Sequence, residues 1–201
     1  MDDAGREGLR TPTFLRDLQQ QHIIDQCHSH KGHYADLQRF AALPEVAALG
    51  WPSEVVEQWL YDHLEHYEFL TDYAELDLTA VAWTLEDLPT ETFLPLRSGP
   101  SDDYMTTVPD QHEHWVYARR FTAVPAAWED TGTWLKPPLL LDLACLDGPA
   151  GVLQVVEGRT RVGILQGRAR DGLRVADRHA AWVGRLRHVG RPTSDGATSR
   201  R

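Results

Sequence analysis

The stretch Leu153-Gln154-Val155-Val156-Glu157-Gly158-Arg159-Thr160-Arg161 decides how the chain is read. A short apolar run ends in an acid and a glycine follows. Beyond Arg159, the residues Val162, Ile164, Leu165 and Ala169 form an apolar helical stripe, with Gly172 as its stop. This is the pattern of a buried strand turning through glycine into a helix. The first amides of a helix have no partner within it, and the helix dipole is positive there, so such a corner attracts anions, phosphate above all. Arg161 adds a guanidinium suited to two-pronged contact with phosphate, and Arg159 and Thr160 share its turn. Glu157 stands at the carboxyl end of the strand, placed to hold Mg²⁺ or to accept a proton from an attacking hydroxyl.

Working outward, Leu139-Leu140-Leu141-Asp142 reads as a short buried strand, and His179-Ala180-Ala181-Trp182-Val183 as another. Upstream the texture is helical. Phe14, Leu15, Leu18, Ile23 and Ile24 suit a helix with Thr13 as its cap, and a second helical stretch covers 34–43. Pro52-Ser53-Glu54-Val55-Val56 is the clearest helix start, with Ser53 in the cap position and Val55, Val56, Trp59, Leu60 and His63 at helical spacing to about His66. Shorter helices or turns are expected from there to Leu88. Pro89, Pro95 and Ser98-Gly99-Pro100-Ser101-Asp102-Asp103 make the best linker. The expected class is α+β, a helical region over 13–97 and a linker over 98–108 leading to a small α/β module over 109–189. Loose ends are expected at 1–12 and, rich in arginine, at 190–201.

The strand, glycine and arginine stretch resembles the ParB/sulfiredoxin-like superfamily, in which an acid or glycine, then glycine, two variable residues and arginine occupy a strand-to-helix turn. The resemblance covers 134–184, about a quarter of the chain, and Leu139–Asp142 matches the strand that precedes the motif. It implies that Gly158 and Arg161 line a cleft for nucleotide phosphates, with Glu157 at the acidic position of the free-serine-kinase and related branches. Departures narrow what is implied. Sulfiredoxins carry a catalytic cysteine two residues before the motif arginine, where this chain has Arg159. ParB proteins continue into helix-turn-helix and dimerisation regions, for which no further pattern follows here. A P-loop is also excluded, because Gly158 and Gly163 have its separation but Ile164-Leu165 stands where Lys-Ser/Thr is required.

Composition agrees with a folded protein: 201 residues, 42% apolar, with seven Trp. No apolar run approaches the ~20 residues of a membrane span, and no signal peptide is visible, so a cytoplasmic protein without membrane contact is expected. The two cysteines, Cys27 and Cys145, lie far apart in the sequence and give no disulfide framework. The net charge of -10 conceals an asymmetry, since eleven Arg against three Asp follow from Arg159 onward. A basic end favours a local anion, whereas the acidic remainder opposes a nucleic-acid duplex.

Other constellations have bland readings beside sharp ones. His22, Cys27, His28, His30 and His33 crowd one segment, as zinc ligands do, but no Cys-x-x-Cys pair accompanies them, and loop histidines are the simpler reading. His112 and His114 flank Glu113, which on a strand would turn both imidazoles to one side as a metal site or, with Trp115 and Tyr117, a stacking wall. His63 and His66 are a further helical pair beside acids that read as a polar face. Trp51, Trp59, Trp83, Tyr61, Tyr67 and Tyr73 are read as core, with a partner-binding groove as the alternative. None of these constellations specifies a metal-binding residue set.

The expected function is binding of a nucleotide or phosphorylated metabolite by Gly158, Arg159, Thr160 and Arg161. Turnover, if present, would be phosphoryl transfer or nucleotide hydrolysis with Mg²⁺ and Glu157 as the catalytic residue. The alternative is a non-catalytic interaction or regulatory protein whose acidic, aromatic-rich residues 13–97 dock onto a protein partner.

Overall fold

The computed structural model describes residues 11–18, 34–63, 67–100, 107–118 and 122–187. The chain is a mixed α+β protein, and the described residues build one four-stranded sheet of order β1-β4-β2-β3. The strands are β1 (Val81–Pro89), β2 (Leu139–Asp142), β3 (Leu153–Glu157) and β4 (Arg178–Leu186). β1 and β4 are antiparallel, as are β2 and β3, while β2 runs parallel to β4. The three strands expected from the sequence are present, and the helix expected after Gly158 runs Arg159–Arg170. β1 is a correction, because its residues were expected to be helical or turn. Trp83 and Leu85 alternate with polar residues, but the second half of the strand carries Glu86, Asp87 and a terminal proline. Tertiary pairing with β4 overrides that weak local preference.

The helices are α1 (Tyr34–Ala41), α2 (Pro44–Leu49), α3 (Ser53–Val55), α4 (Tyr67–Tyr73), α5 (Thr90–Phe93), α6 (His112–Ala118), α7 (Ala123–Asp130) and α8 (Arg159–Arg170). Ser53 does not cap α3; it is the first helical residue after Pro52, and no side chain caps that end. α3 continues directly into a π-helix, Val56–Tyr61. Thr13 stands two residues ahead of the first helical residue, Leu15; its carbonyl accepts from the Leu78 N–H and its own N–H donates to Asp77. The His112 stretch is a helix and not a strand, so its two imidazoles do not share a side: His112 is buried against α8 and His114 is exposed. The cysteine and histidine cluster at 22–33, His66, residues 1–10 of the first expected tail and all of the second, 190–201, lie outside the described residues.

β2 is buried on both faces, and its alternation divides the interior in two. Leu139 and Leu141 join Val81, Trp83 and the helical aromatic residues on one face, while Leu140 joins Val155, Val162, Leu165 and Ala181 on the other. The first core is aromatic, as expected: Trp51 and Trp59 stack with centroids 5.6 Å apart at 5°, and Trp83 meets both edge-on. Such stacked and edge-on pairs add to plain area burial. Because β1 comes from 13–97 and β4 from 109–189, the sheet runs across the 98–108 segment; within that segment Ser98 bridges Val155 and Val108 is buried.

Helix α8 is held on the second face by two small residues one turn apart. A side chain at Gly163 would meet Val108 Cγ1 at 2.5 Å, and one at Gly167 would meet the Pro109 carbonyl at 2.3 Å. The helix ends as the sequence suggested, with Gly172 at φ 68° and reverse bonds from Gly172 to Ala169 and from Leu173 to Arg168. No helix among the described residues is long and apolar enough to cross a membrane.

Candidate functional site

β3 delivers Glu157 to the end of the sheet, and the chain then reverses at Gly158, whose φ of 87° is the left-handed conformation that favours glycine. Glycine is needed there for a second reason. An added Cβ would stand 2.6 Å from Pro138 Cβ and 2.9 Å from Arg161 Nε, so the guanidinium lies over the bare glycine. The Gly158 carbonyl opens the helix by accepting from the Val162 N–H at 3.0 Å, and no side chain caps this end. Arg159 and Thr160 follow, half-buried, in the first turn.

Arg161 is committed to the protein on several sides. Its Nη1 donates to Gln58 Oε1 at 2.9 Å and to the Lys136 and Pro137 carbonyls at 2.8 and 3.3 Å, while Nη2 donates to Glu157 Oε1 at 3.0 Å. The other carboxylate oxygen of Glu157 is 3.1 Å from His63 Nε2. Burial alone would favour the neutral acid. The hydrogen bond from His63, the charges of Arg161 and His63 and the Gly158 amide outweigh it and hold the Glu157 carboxyl down at about 2. Glu157 is therefore a fixed negative charge throughout the physiological range. Beside it, burial raises the Asp62 carboxyl; His63 and Lys136 oppose that rise, and Glu57 and Glu157 add to it. Lys136 in turn donates to Glu57 Oε2 at 2.8 Å.

The structure thus brings Glu157, Gly158 and Arg161 together, and adds Gln58 and His63, which the sequence did not place at this corner. Their arrival depends on the π-helix. Two residues five apart on an α-helix diverge by about 140° around its axis, whereas the wider i→i+5 turn of a π-helix returns them toward one side. Gln58 and His63, across the Val56–Tyr61 segment, so meet Arg161 and Glu157, which lie four residues apart on either side of Gly158. No local sequence signal marks the π register. The apolar spacing instead placed His63 on the buried stripe of an ordinary helix.

Two further histidines are accounted for by packing. His179, buried between Phe93 and Trp134, contacts Thr133 Oγ1 at 2.7 Å and Thr90 Oγ1 at 3.0 Å. The Thr90 hydroxyl donates to the Ala176 carbonyl, so it accepts from His179 Nε2. His112 Nε2 meets Asp171 at 2.9 Å. Among the described residues, no group of three or more His, Cys, Asp or Glu side chains is arranged to hold a metal ion. No protein-family model, curated protein or solved structure matches the chain.

Proposed function

We propose that the corner formed by Glu157, Gly158 and the first turn of α8 binds a small phosphate-bearing ligand, a nucleotide or a phosphorylated metabolite. The observation that carries this reading is the gathering, at one strand-to-helix turn, of Glu157, His63 and Arg161 from elements far apart in sequence. The ParB/sulfiredoxin-like resemblance falls on that same turn, and α8 has two arginines and no acid in its opening turn. In this reading Arg161 positions the turn, since its donors already serve Gln58, two carbonyls and Glu157. The phosphate is received by the Arg159 and Thr160 amides and by the cations at the rim. Any Mg²⁺ arrives on the nucleotide's own phosphates.

The roles of the acid and the histidine separate on protonation. A carboxyl held at about 2 is a weak base at neutral pH. Glu157 therefore orients, and His63, in contact with its second carboxylate oxygen, handles the proton where there is turnover. A second reading has its own support. The saturation of Arg161 by protein acceptors is what a purely structural staple between the π-helix and the sheet requires, leaving residues 13–97 as a docking face for a protein partner.

Thermal-shift measurements with ATP, ADP, CTP and GTP, each with and without Mg²⁺, separate the two on wild type, Thr160→Glu and Arg161→Lys. A ligand at 100 times its dissociation constant adds about 2.7 kcal/mol. Thr160→Glu places a negative charge where the helix dipole welcomes it but phosphate does not, so the unliganded midpoint holds or rises while the ligand shift disappears. Arg161→Lys lowers the unliganded midpoint, because an ammonium cannot span the four acceptors. Absence of any shift in wild type sinks the phosphate reading and leaves the staple.

A further inference from the structure

Among the described residues β1 is an edge strand, paired with β4 alone. Which of its backbone groups face outward follows from the register, in which Val81 lies opposite Leu186 and Pro89 opposite Arg178. At its two ends the Arg187 N–H donates to the Ala80 carbonyl and the Thr90 N–H donates to the Asp177 carbonyl. Even-numbered residues therefore exchange bonds with β4, and the odd-numbered ones direct their N–H and C=O groups away from it. Side-chain bonds agree with that parity. The Val81 carbonyl accepts from Trp51 Nε1 and Arg187 Nε, and the Asp87 carbonyl accepts from Arg178. Between them, Trp83 and Leu85 have no backbone partner on the outer side among the described residues. Leu85 is also 54% exposed, among the most exposed large apolar side chains of the described residues. The opposite edge of the sheet differs, because the Val155 N–H donates to the Arg97 carbonyl and Ser98 bridges the same residue.

We infer that β1 is a self-association edge, on which a second copy of this chain pairs antiparallel about a two-fold axis through Leu85. The outward-facing residues Trp83, Leu85 and Asp87 are symmetric about Leu85. A two-fold there sets Leu85 against Leu85 of the second copy and Trp83 against Asp87, satisfying the outer groups of all three. It also sets leucine on leucine and Thr84 opposite Glu86, with no like charges directly opposed. Glu86 and Asp87 are already paired within the chain to Arg185 and Arg178, so the edge does not repel its copy. The neighbouring two-fold registers fail. Centring on Asp87 opposes two carboxylates and sets Pro89, which has no N–H, against Leu85. Centring on Trp83 sets Leu85 against Val81, whose carbonyl is already taken twice. A strand edge with unpaired groups and an exposed leucine is a template for another strand, and the register about Leu85 is complementary to itself.

The test uses the full chain. Sedimentation velocity is expected to give twice the 22.8 kDa chain mass for wild type and the single mass for Leu85→Lys, with unchanged far-UV circular dichroism. In a Cys27→Ser, Cys145→Ser background, Leu85→Cys is expected to form an intermolecular disulfide on mild oxidation. Residues at a hydrogen-bonded antiparallel pair lie about 5.5 Å apart between Cα atoms, within disulfide reach. Thr84→Cys, offset from its own copy by two residues, is expected to stay reduced. A single-chain mass for wild type at every concentration up to the solubility limit overturns the inference and leaves the edge to a strand from another protein. A dimer that survives Leu85→Lys, or equal cross-linking at positions 84 and 85, overturns it as well.

Discussion

At the scale of single residues, Glu157 concentrates the most testable physics. Its carboxyl is held at about 2 in the fold against an ordinary value of 4.5. The folded state therefore favours the charged form, and the stabilisation is present in full above pH 4.5 and is lost as pH falls toward 2. The difference corresponds to about 3 kcal/mol, an order-of-magnitude figure. Denaturant titrations of wild type between pH 6 and 3 are expected to show the larger part of this loss, about 2 kcal/mol, and Glu157→Gln is expected to flatten that limb. An unchanged slope in the variant would mean that His63 and Arg161 do not hold the acid as the geometry indicates. The sequence made Glu157, Gly158 and Arg161 legible because all three belong to one strand-to-helix turn. It could not show what Arg161 holds, because Gln58 lies 103 positions away and two of the other acceptors are backbone carbonyls that carry no residue signature.

At the scale of elements, α8 shows two different uses of glycine, and they differ in measurable cost. Gly172 stops the helix in the left-handed conformation with open space around it, so Gly172→Ala is expected to cost about 1 kcal/mol of backbone strain alone. Gly167 has ordinary helical backbone, but a methyl there collides with the Pro109 carbonyl and with His112, so Gly167→Ala is expected to cost about 2–3 kcal/mol through overpacking. Chemical denaturation of both variants ranks them, and equal costs would contradict the close packing of α8 on residues 108–112. The end of α8 was legible in the sequence, since Gly172 follows the last periodic apolar residue. The packing role of Gly163 and Gly167 was not, because small residues facing another element look like interruptions until that element is in place. β1 was missed for a related reason. Its apolar signal includes Leu85, which points to solvent, and its register is set by β4 rather than by its own periodicity.

At the scale of the whole molecule, the sheet ties the two halves of the chain together. Trp182 Nε1 donates to Glu54, and the Arg187 guanidinium donates to the Leu49 and Val81 carbonyls. A fragment of residues 109–187 would bare Leu139, Leu141 and Trp182, which face the aromatic core, and would leave β4 without β1. Such a fragment is expected to lack native near-ultraviolet dichroism, whereas the full chain is expected to unfold in a single calorimetric transition. Two separated transitions, or a folded fragment, would show that the halves are independent. The mixed α+β class was readable from the alternation of apolar runs, but the shared sheet was not, because only β1 reveals it.

The pairing of β1 with β4 also sets a timetable. Its residues pair with partners 89 to 105 positions away, from Pro89 with Arg178 to Val81 with Leu186. At a synthesis rate of about 5–20 residues per second, β1 emerges roughly 5–20 s before the strand that will complete it. During that interval both its edges are open and Trp83 has no sheet to rest on. Closure of so long a loop slows the pairing, and it leaves β1 an unpaired strand while the ribosome is still at work.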